Sequence, residues 1–230
     1  MISEYYLRIK ICGITRREDA LAAAALGADA LGFIFYPGSP RYVDFDTARE
    51  ISHALPAGIA RVGVFVNPTR KMLGECMEIL QPDLLQIHGA HDWEMLREFG
   101  GQRLLPAFQV KLDFNPEVLA DCRAHCAAFL LDAYRPGKYG GTGRTFDWNL
   151  ALRAKAHGPV VLSGGLSPEN VYEAVSRVQP YAIDVNSGVE SAPGIKDKQR
   201  LKNLFEMIKE FRHAPIQSPP QRFLAARCAR

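Results

Sequence analysis

The chain has 230 residues, of which 47% are hydrophobic and 23% charged. Those values exclude wholesale disorder, and the length suits one large α/β barrel or two small domains. Lys and Arg total 28 against 25 Asp and Glu, a formal charge of +3, too small to argue for a nucleic-acid or membrane-surface partner.

Along the chain, short apolar runs alternate with amphipathic ones. The first strand is expected at Leu7–Cys12, followed by a helix over Arg16–Leu26 with Thr15 and Glu18 at capping-box spacing. A strand at Ala30–Phe35 leads through the loop Pro37-Gly38-Ser39-Pro40-Arg41-Tyr42 to a helix at Thr47–Leu55. The apolar stretch from Ala20 to Tyr36 is broken by Gly27, Asp29 and Gly32 and changes period midway. It therefore reads as a helix and a strand, not a membrane span. Next come strand Ala60–Phe65 and helix Arg70–Leu80, strand Leu84–Ile87 and helix Asp92–Phe99, strand Arg103–Val110 and helix Pro116–His125. Strand Ala128–Leu131 is followed by a glycine-rich insertion from Asp132 to Phe146, then a helix at Trp148–Ala156 capped by Asp147. Strand Val160–Leu162 precedes a helix at Pro168–Val178, where Ser167-Pro168 supplies a cap residue before proline. Strand Ala182–Val185 and helix Asp197–Phe211 close the series. Gly27, Gly58 and Gly100 sit where helices should stop.

Eight strand–helix units in a row predict an α/β fold, a single-domain (β/α)₈ TIM barrel over residues 1–211. A doubly wound open sheet is the alternative, but no GxGxxG follows the first strand. Residues 212–230 differ in kind. Pro215, Pro219, Pro220 and four arginines make them a flexible basic tail or a surface-packed extension.

Cys12, Cys76, Cys122, Cys126 and Cys228 form a sparse, odd set. It fits free thiols in a reducing cytosol, not a disulfide scaffold, and a cytoplasmic protein is expected. Met1 to Tyr6 hold no apolar core, so no signal peptide is expected. Cys122 and Cys126 flank His125 without CxxC spacing or further nearby ligands. No metal site is expected there.

In a barrel, chemistry gathers at the C-terminal ends of the strands. The seventh strand is followed by Gly164-Gly165 and the eighth by Ser187-Gly188. Two such pairs on adjacent strands read as a backbone cradle for a phosphate. Cys12 and Asp132 are the candidate acid–base pair. A helix N-terminus following Cys12 would lower its thiol pKa and supply a thiolate base. A carboxyl emerging from the apolar run before Asp132 would stay protonated and serve as an acid. Arg41, set by its stiff Pro-Gly-Ser-Pro turn, would grip a carboxylate or form a surface salt bridge. His88 would orient a substrate or satisfy a strand-end carbonyl. Lys10 and Asp184 are expected to pair, because a lone buried charge is costly. Gly140 to Gly143 in the long insertion suit a mobile lid.

Several segments together resemble the phosphoribosylanthranilate isomerase family. They are Lys10-Ile11-Cys12-Gly13-Ile14-Thr15, Pro40-Arg41-Tyr42-Val43, Val64-Phe65-Val66-Asn67 and Gln86-Ile87-His88-Gly89. Leu131-Asp132-Ala133, Gly140 to Trp148, Leu162 to Leu166, Asp184 to Glu190 and Gly194 to Asp197 continue the pattern. The resemblance runs in order from about Leu7 to Phe211.

It implies an Amadori rearrangement of N-(5-phosphoribosyl)anthranilate to 1-(2-carboxyphenylamino)-1-deoxyribulose 5-phosphate in tryptophan biosynthesis, with no cofactor and no metal. It implies Asp132 as general acid and Cys12 as general base, Arg41 on the anthranilate carboxylate, and phosphate on Gly164, Gly165, Ser187 and Gly188. It implies further substrate contacts from Gln86, His88, Asp184 and the lid residues Gly141, Thr142 and Gly143. The expected partner is the small phosphosugar–anthranilate substrate, with no nucleic acid or membrane, on a monomer or homodimer.

Three other readings are open to such a barrel. A pentose-phosphate epimerase needs metal-binding His and Asp residues at strand ends, which His88 alone does not supply. The histidine-pathway isomerase resembles this chemistry but has an aspartate where Cys12 stands. A non-catalytic phosphate-ligand sensor would need the glycine cradle without Cys12 and Asp132 together.

Overall fold

Eight short runs rich in Val, Ile, Leu and Phe form parallel strands, as runs covered on both faces do. The computed structural model describes residues 5–100, 103–111, 113–133 and 147–212. The strands are β1 (Arg8–Ile11), β2 (Ala30–Ile34), β3 (Ala60–Val66), β4 (Leu84–His88), β5 (Leu104–Val110), β6 (Phe129–Ala133), β7 (Val160–Leu162) and β8 (Ala182–Val185). They join in sequence order into one closed barrel. β8 closes on β1 in register, from Arg8 opposite Ala182 to Ile11 opposite Val185. The helices are α1 (Arg17–Ala25), α2 (Phe45–His53), α3 (Arg70–Ile79), α4 (Trp93–Arg97), α5 (Val118–Cys122), α6 (Trp148–Ala154), α7 (Val171–Val178) and α8 (Lys198–Met207). This is the (β/α)₈ barrel the alternation predicts. No helix among the described residues is long and apolar enough to cross a membrane.

Strand alternation divides the interior into two cores. Leu7, Ile9, Ile11, Phe33, Phe65, Leu85, Leu131 and Ile183 point outward and pack under the helices. Ala30, Val62, Val64, Leu84, Leu105, Leu130 and Val161 fill the barrel itself. The polar inward positions Lys10, Gln86, His88, Asp132, Ser163 and Asp184 are also buried. They lie toward the C-terminal ends of their strands.

Local expectations meet the structure unevenly. Asp44, Thr69, Asp92, Asp147 and Asp197 each cap a helix by accepting a backbone N–H. Gly27, Gly58 and Gly100 take φ near +95°, as helix stops should. The capping box at Thr15 does not form. α1 starts after Arg16 without a side-chain cap, and the Thr15 hydroxyl donates instead to the Gly194 carbonyl at 2.5 Å. Ser167-Pro168 opens a turn, and α7 begins only at Val171. A hairpin of β9 (Glu190–Ala192) and β10 (Ile195–Lys196) stands between β8 and α8. The alternation of strand and helix gave no sign of it. β6 continues through Asp132 to Ala133 instead of stopping at the charge, because Asp132 turns inward as a strand residue. The expected lid, Gly140 to Gly143, lies outside the described residues.

The C-terminal boundary also shifts. A 3-10 turn over Lys209–Arg212 follows α8, and Arg212 is fixed to the bottom of the barrel. Its guanidinium donates to Asp29 at 2.7 Å, to the Leu7 and Gly27 carbonyls, and to the Tyr6 hydroxyl. Asp29 in turn accepts from the Ile9 N–H at 2.7 Å. Arg212 therefore packs with the barrel, and the rest of the expected tail, 213–230, lies outside the described residues. Arg212→Ala should lower stability by about 1–3 kcal/mol, because it strands a half-buried carboxylate and two carbonyls. The measurement is the urea midpoint of the full chain. An unchanged midpoint would return Arg212 to the tail.

Candidate active site

Cys12 sits one residue past β1, where its N–H donates to the Val185 carbonyl at 2.9 Å. Lys10 and Cys12 are two apart on one strand, so both side chains enter the barrel. They rest over Gly32 of β2. A Cβ built on Gly32 would lie 2.8 Å from Cys12 Sγ and 3.0 Å from Lys10 Nζ. The missing side chain makes room for both. The expectation of a depressed thiol pKa from a helix N-terminus is not met. Residues 13–16 separate Cys12 from α1, and Cys12 is only 4% exposed. Burial pushes the thiol above its ordinary value, and the Lys10 ammonium opposes that rise without cancelling it.

Lys10 and Asp184 pair as expected, at 2.7 Å and fully inside the barrel. Asp184 Oδ2 lies 3.5 Å from the Ser163 hydroxyl. Leu131 pairs with Leu162 and Leu162 with Ile183, so the next residues, Asp132, Ser163 and Asp184, share one level. Lys10 continues that level onto β1. Asp132 is 2% exposed. Burial first, and the Asp184 charge second, push its carboxyl up to about 7. The desolvated carboxyl expected from the sequence is thus in place, with a neighbouring anion the sequence did not reveal.

On the opposite wall, β4 carries Gln86 and His88 inward. The Gln86 side-chain amide donates to His88 Nε2 at 2.8 Å, which fixes the ring tautomer. Burial and then the Lys10 charge drive His88 down to about 3, so it is a neutral imidazole. The strand-end carbonyl of Ile87 is met by His91, not by His88.

The two glycine pairs lie side by side. Gly164 takes φ +86° and Gly165 +67°, and a Cβ on Gly164 would strike the Ala133 backbone N. Gly188, in the 3-10 turn Ser187–Val189, would strike the Leu166 carbonyl if it bore one. The turn at Gly188 thus packs on the loop that follows Gly164-Gly165, and Gly164 itself lies against the end of β6. Gly141, Thr142 and Gly143 lie outside the described residues.

Arg41 already grips a carboxylate, and that carboxylate belongs to the chain. Its Nε and Nη2 donate to Glu190, with contacts of 3.0, 3.1 and 2.6 Å. Lys196 Nζ also donates to Glu190, at 2.8 Å, and to Asn186 Oδ1 at 3.0 Å. Burial raises the Glu190 carboxyl, but Arg41 and Lys196 together bring it below its ordinary value. The same burial lowers the Lys196 ammonium against the pull of Glu190. Gly13, at φ +70°, lets Arg41 and Asn186 approach, since a Cβ there would lie 2.8 Å from Arg41 Cδ. Sequence reasoning gave Glu190, Lys196 and Asn186 no role. Two opposite charges six residues apart around Pro193-Gly194 were the available hint of the hairpin.

Cys122 and Cys126 lie on the outer face, where Cys126 Sγ donates to the Cys122 carbonyl at 3.2 Å. The His125 ring lies tilted against Trp93, with centroids 5.6 Å apart. Among the described residues no group of three or more His, Cys, Asp or Glu could hold a metal ion.

The family model for N-(5'-phosphoribosyl)anthranilate isomerase matches residues 9–207. The enzyme of that name from Geobacter sulfurreducens is 47% identical over 203 residues, covering 88% of this chain and 98% of its own. The crystal structure of phosphoribosyl anthranilate isomerase from Thermotoga maritima is 42% identical, with a TM-score of 0.81 over 89% of this chain and 99% of that one. Another structure of such an enzyme, holding reduced 1-(o-carboxyphenylamino)-1-deoxyribulose 5-phosphate, is 39% identical with a TM-score of 0.78. It covers 89% of this chain and 99% of that one.

The buried acid has a measurable cost. A carboxyl whose folded pKa is raised binds its proton more tightly when folded, so its burden grows as pH rises from about 4 to about 7 and then levels. Asp132→Asn should therefore stabilise the chain by up to about 4 kcal/mol at pH 8, and by clearly less at pH 5. Urea melts at the two pH values check this. An equal gain at both would remove the raised pKa.

Proposed function

The chain belongs to the N-(5'-phosphoribosyl)anthranilate isomerase family, and on that premise we propose that it converts N-(5'-phosphoribosyl)anthranilate to 1-(2-carboxyphenylamino)-1-deoxyribulose 5-phosphate with Asp132 as general acid and Cys12 as general base. It is an isomerase of tryptophan biosynthesis. The observation that carries the acid–base assignment is the inward, desolvated Asp132 carboxyl, up at about 7, in the same barrel mouth as Cys12.

Asp132 gives its proton to the ribose ring oxygen, and the ring opens to a Schiff base. The iminium draws electrons from C2. Cys12 takes the C2 proton as its thiolate, and the resulting enolamine tautomerises to the ketone. One proton is given and one is taken, so the product is an isomer. Opening the ring exposes intermediates that water would divert, and a buried acid and base suit their exclusion.

The remaining groups fit the two ends of this substrate. The backbone N–H groups around Gly164, Gly165, Ser187 and Gly188 take the phosphate, and Gly164 and Gly188 let that backbone pack closely against the main chain at Ala133 and Leu166. Arg41 takes the anthranilate carboxylate. Glu190 occupies Nε and Nη2, which leaves the edge formed by Nη1 and Nη2 to the substrate. His88, neutral and held by Gln86, serves a substrate hydroxyl without adding charge.

Purified protein mixed with freshly made phosphoribosylanthranilate should consume its fluorescence. Cys12→Ser and Asp132→Asn should each lower kcat by about three orders of magnitude while leaving phosphate-ligand affinity intact. Near-normal kcat in either would end that assignment. Arg41→Ala should raise KM about tenfold or more. An unchanged KM would remove Arg41 from the carboxylate.

A further inference from the structure

We propose that the buried Lys10–Asp184 ion pair biases the protonation of both proposed catalytic groups, its positive end drawing Cys12 toward the thiolate and its negative end holding Asp132 as an acid. The inference rests on the acid–base reading above and adds the positioning residues that make it workable.

The geometry sets one charge of the pair toward each group. Lys10 and Cys12 share the inward face of β1 and the space over Gly32. Asp184 lies at the level of Asp132, with only Ser163 between them around the barrel. The pair closes at 2.7 Å, and Lys10 is wholly buried. A buried ion pair is poor stabilisation, because apolar side chains of the same volume often do as well or better. The barrel beneath it is filled by Ala, Val and Leu, so packing alone gives this pair no reason to be charged.

The charged groups facing each site are few. Cys12 faces Lys10 from β1, Asp184 from β8 and Lys196 from β10. Lys196 is already engaged by Glu190. Asp132 faces Asp184 and, more weakly, Lys10. The remaining group near Lys10 is His88, which is neutral. Burial drives thiol and carboxyl alike toward their protonated forms, which suits the acid and defeats the base. Lys10 is the largest influence opposing burial at Cys12, whereas Asp184 adds to burial at Asp132. One ion pair thus acts in opposite directions on two groups that desolvation alone would treat alike.

The test is the pH midpoint of iodoacetamide alkylation at Cys12 in the full chain. Mass spectrometry of the Cys12 peptide keeps the other four cysteines out of the reading. Lys10→Met should raise the midpoint by about one pH unit or more, since an opposite charge this close shifts a pKa by that much. Asp184→Asn should lower it, because Lys10 then has only the thiolate to neutralise it. Loosened packing changes the limiting alkylation rate but does not move the midpoint in opposite directions. If Lys10→Met does not fold, the Asp184→Asn shift decides alone. Unchanged midpoints overturn the inference, as does a larger rise in Lys196→Met than in Lys10→Met. Turnover of Cys12→Ser is a separate matter: it tests whether Cys12 is the base, not what sets its charge.

Discussion

Closing eight parallel strands into one barrel sends every second strand residue into a space with no water, and the rest of this structure answers that constraint. In the lower part of the barrel the answer is mainly apolar: Ala30, Val62, Leu84, Leu105, Leu130 and Val161 fill the interior, with Arg8 laid over the Tyr181 ring beneath them. At the C-terminal ends it is polar, and each polar group needs an internal partner. Lys10 has Asp184, Gln86 has His88, and Ser163 lies beside Asp184. The proposed chemistry sits at this end, where inward polar side chains lie beneath the loops that follow the strands.

The same desolvation treats different groups differently. It holds His88 neutral, keeps the Asp132 proton in place and resists ionisation of Cys12. The first two results need only a dry site. The third needs a cation, and Lys10 is the cation closest along the strand. Placing that cation wholly inside the barrel requires an anion, which Asp184 supplies from the neighbouring strand in register. The burdens are therefore linked: a site able to hold an acid and a base of opposite protonation must also hold a compensated pair of charges.

Much of this was legible in the sequence, and the omissions have physical reasons. Alternating apolar runs gave all eight strands within a residue or two, because a strand buried on both faces must be apolar. The exception is instructive. The sixth strand was read as ending at Leu131, since a charge after an apolar run looks like a boundary, yet Asp132 is a strand residue turned inward. The Lys10–Asp184 pair was legible because cost forbids a lone buried charge. The environment of Cys12 was not, since its thiol depends on the loop length before α1 and on a glycine from another strand. The hairpin carrying Glu190 and Lys196 was also hidden. It is a seven-residue device, Glu190 to Lys196, outside the repeating pattern, and its importance appears only once Arg41, far away in sequence, folds against it.

That hairpin bears on how an arginine can stay ready for an anionic ligand. A guanidinium alone in a half-buried mouth would be costly to desolvate and free to swing. Glu190 meets both difficulties by gripping Nε and Nη2 with near-bidentate geometry. A simple one-to-one pair would leave the mouth neutral and indifferent to anions. Lys196 changes that balance. Two cations share one carboxylate, so Arg41, Lys196 and Glu190 together carry a net positive charge. Glu190 fixes the direction of the arginine without cancelling the field, and the Nη1–Nη2 edge is the one the proposed substrate carboxylate would use. The arrangement is stable as it stands and electrostatically incomplete, which is the condition a site needs if an anionic substrate is to be bound more tightly than water.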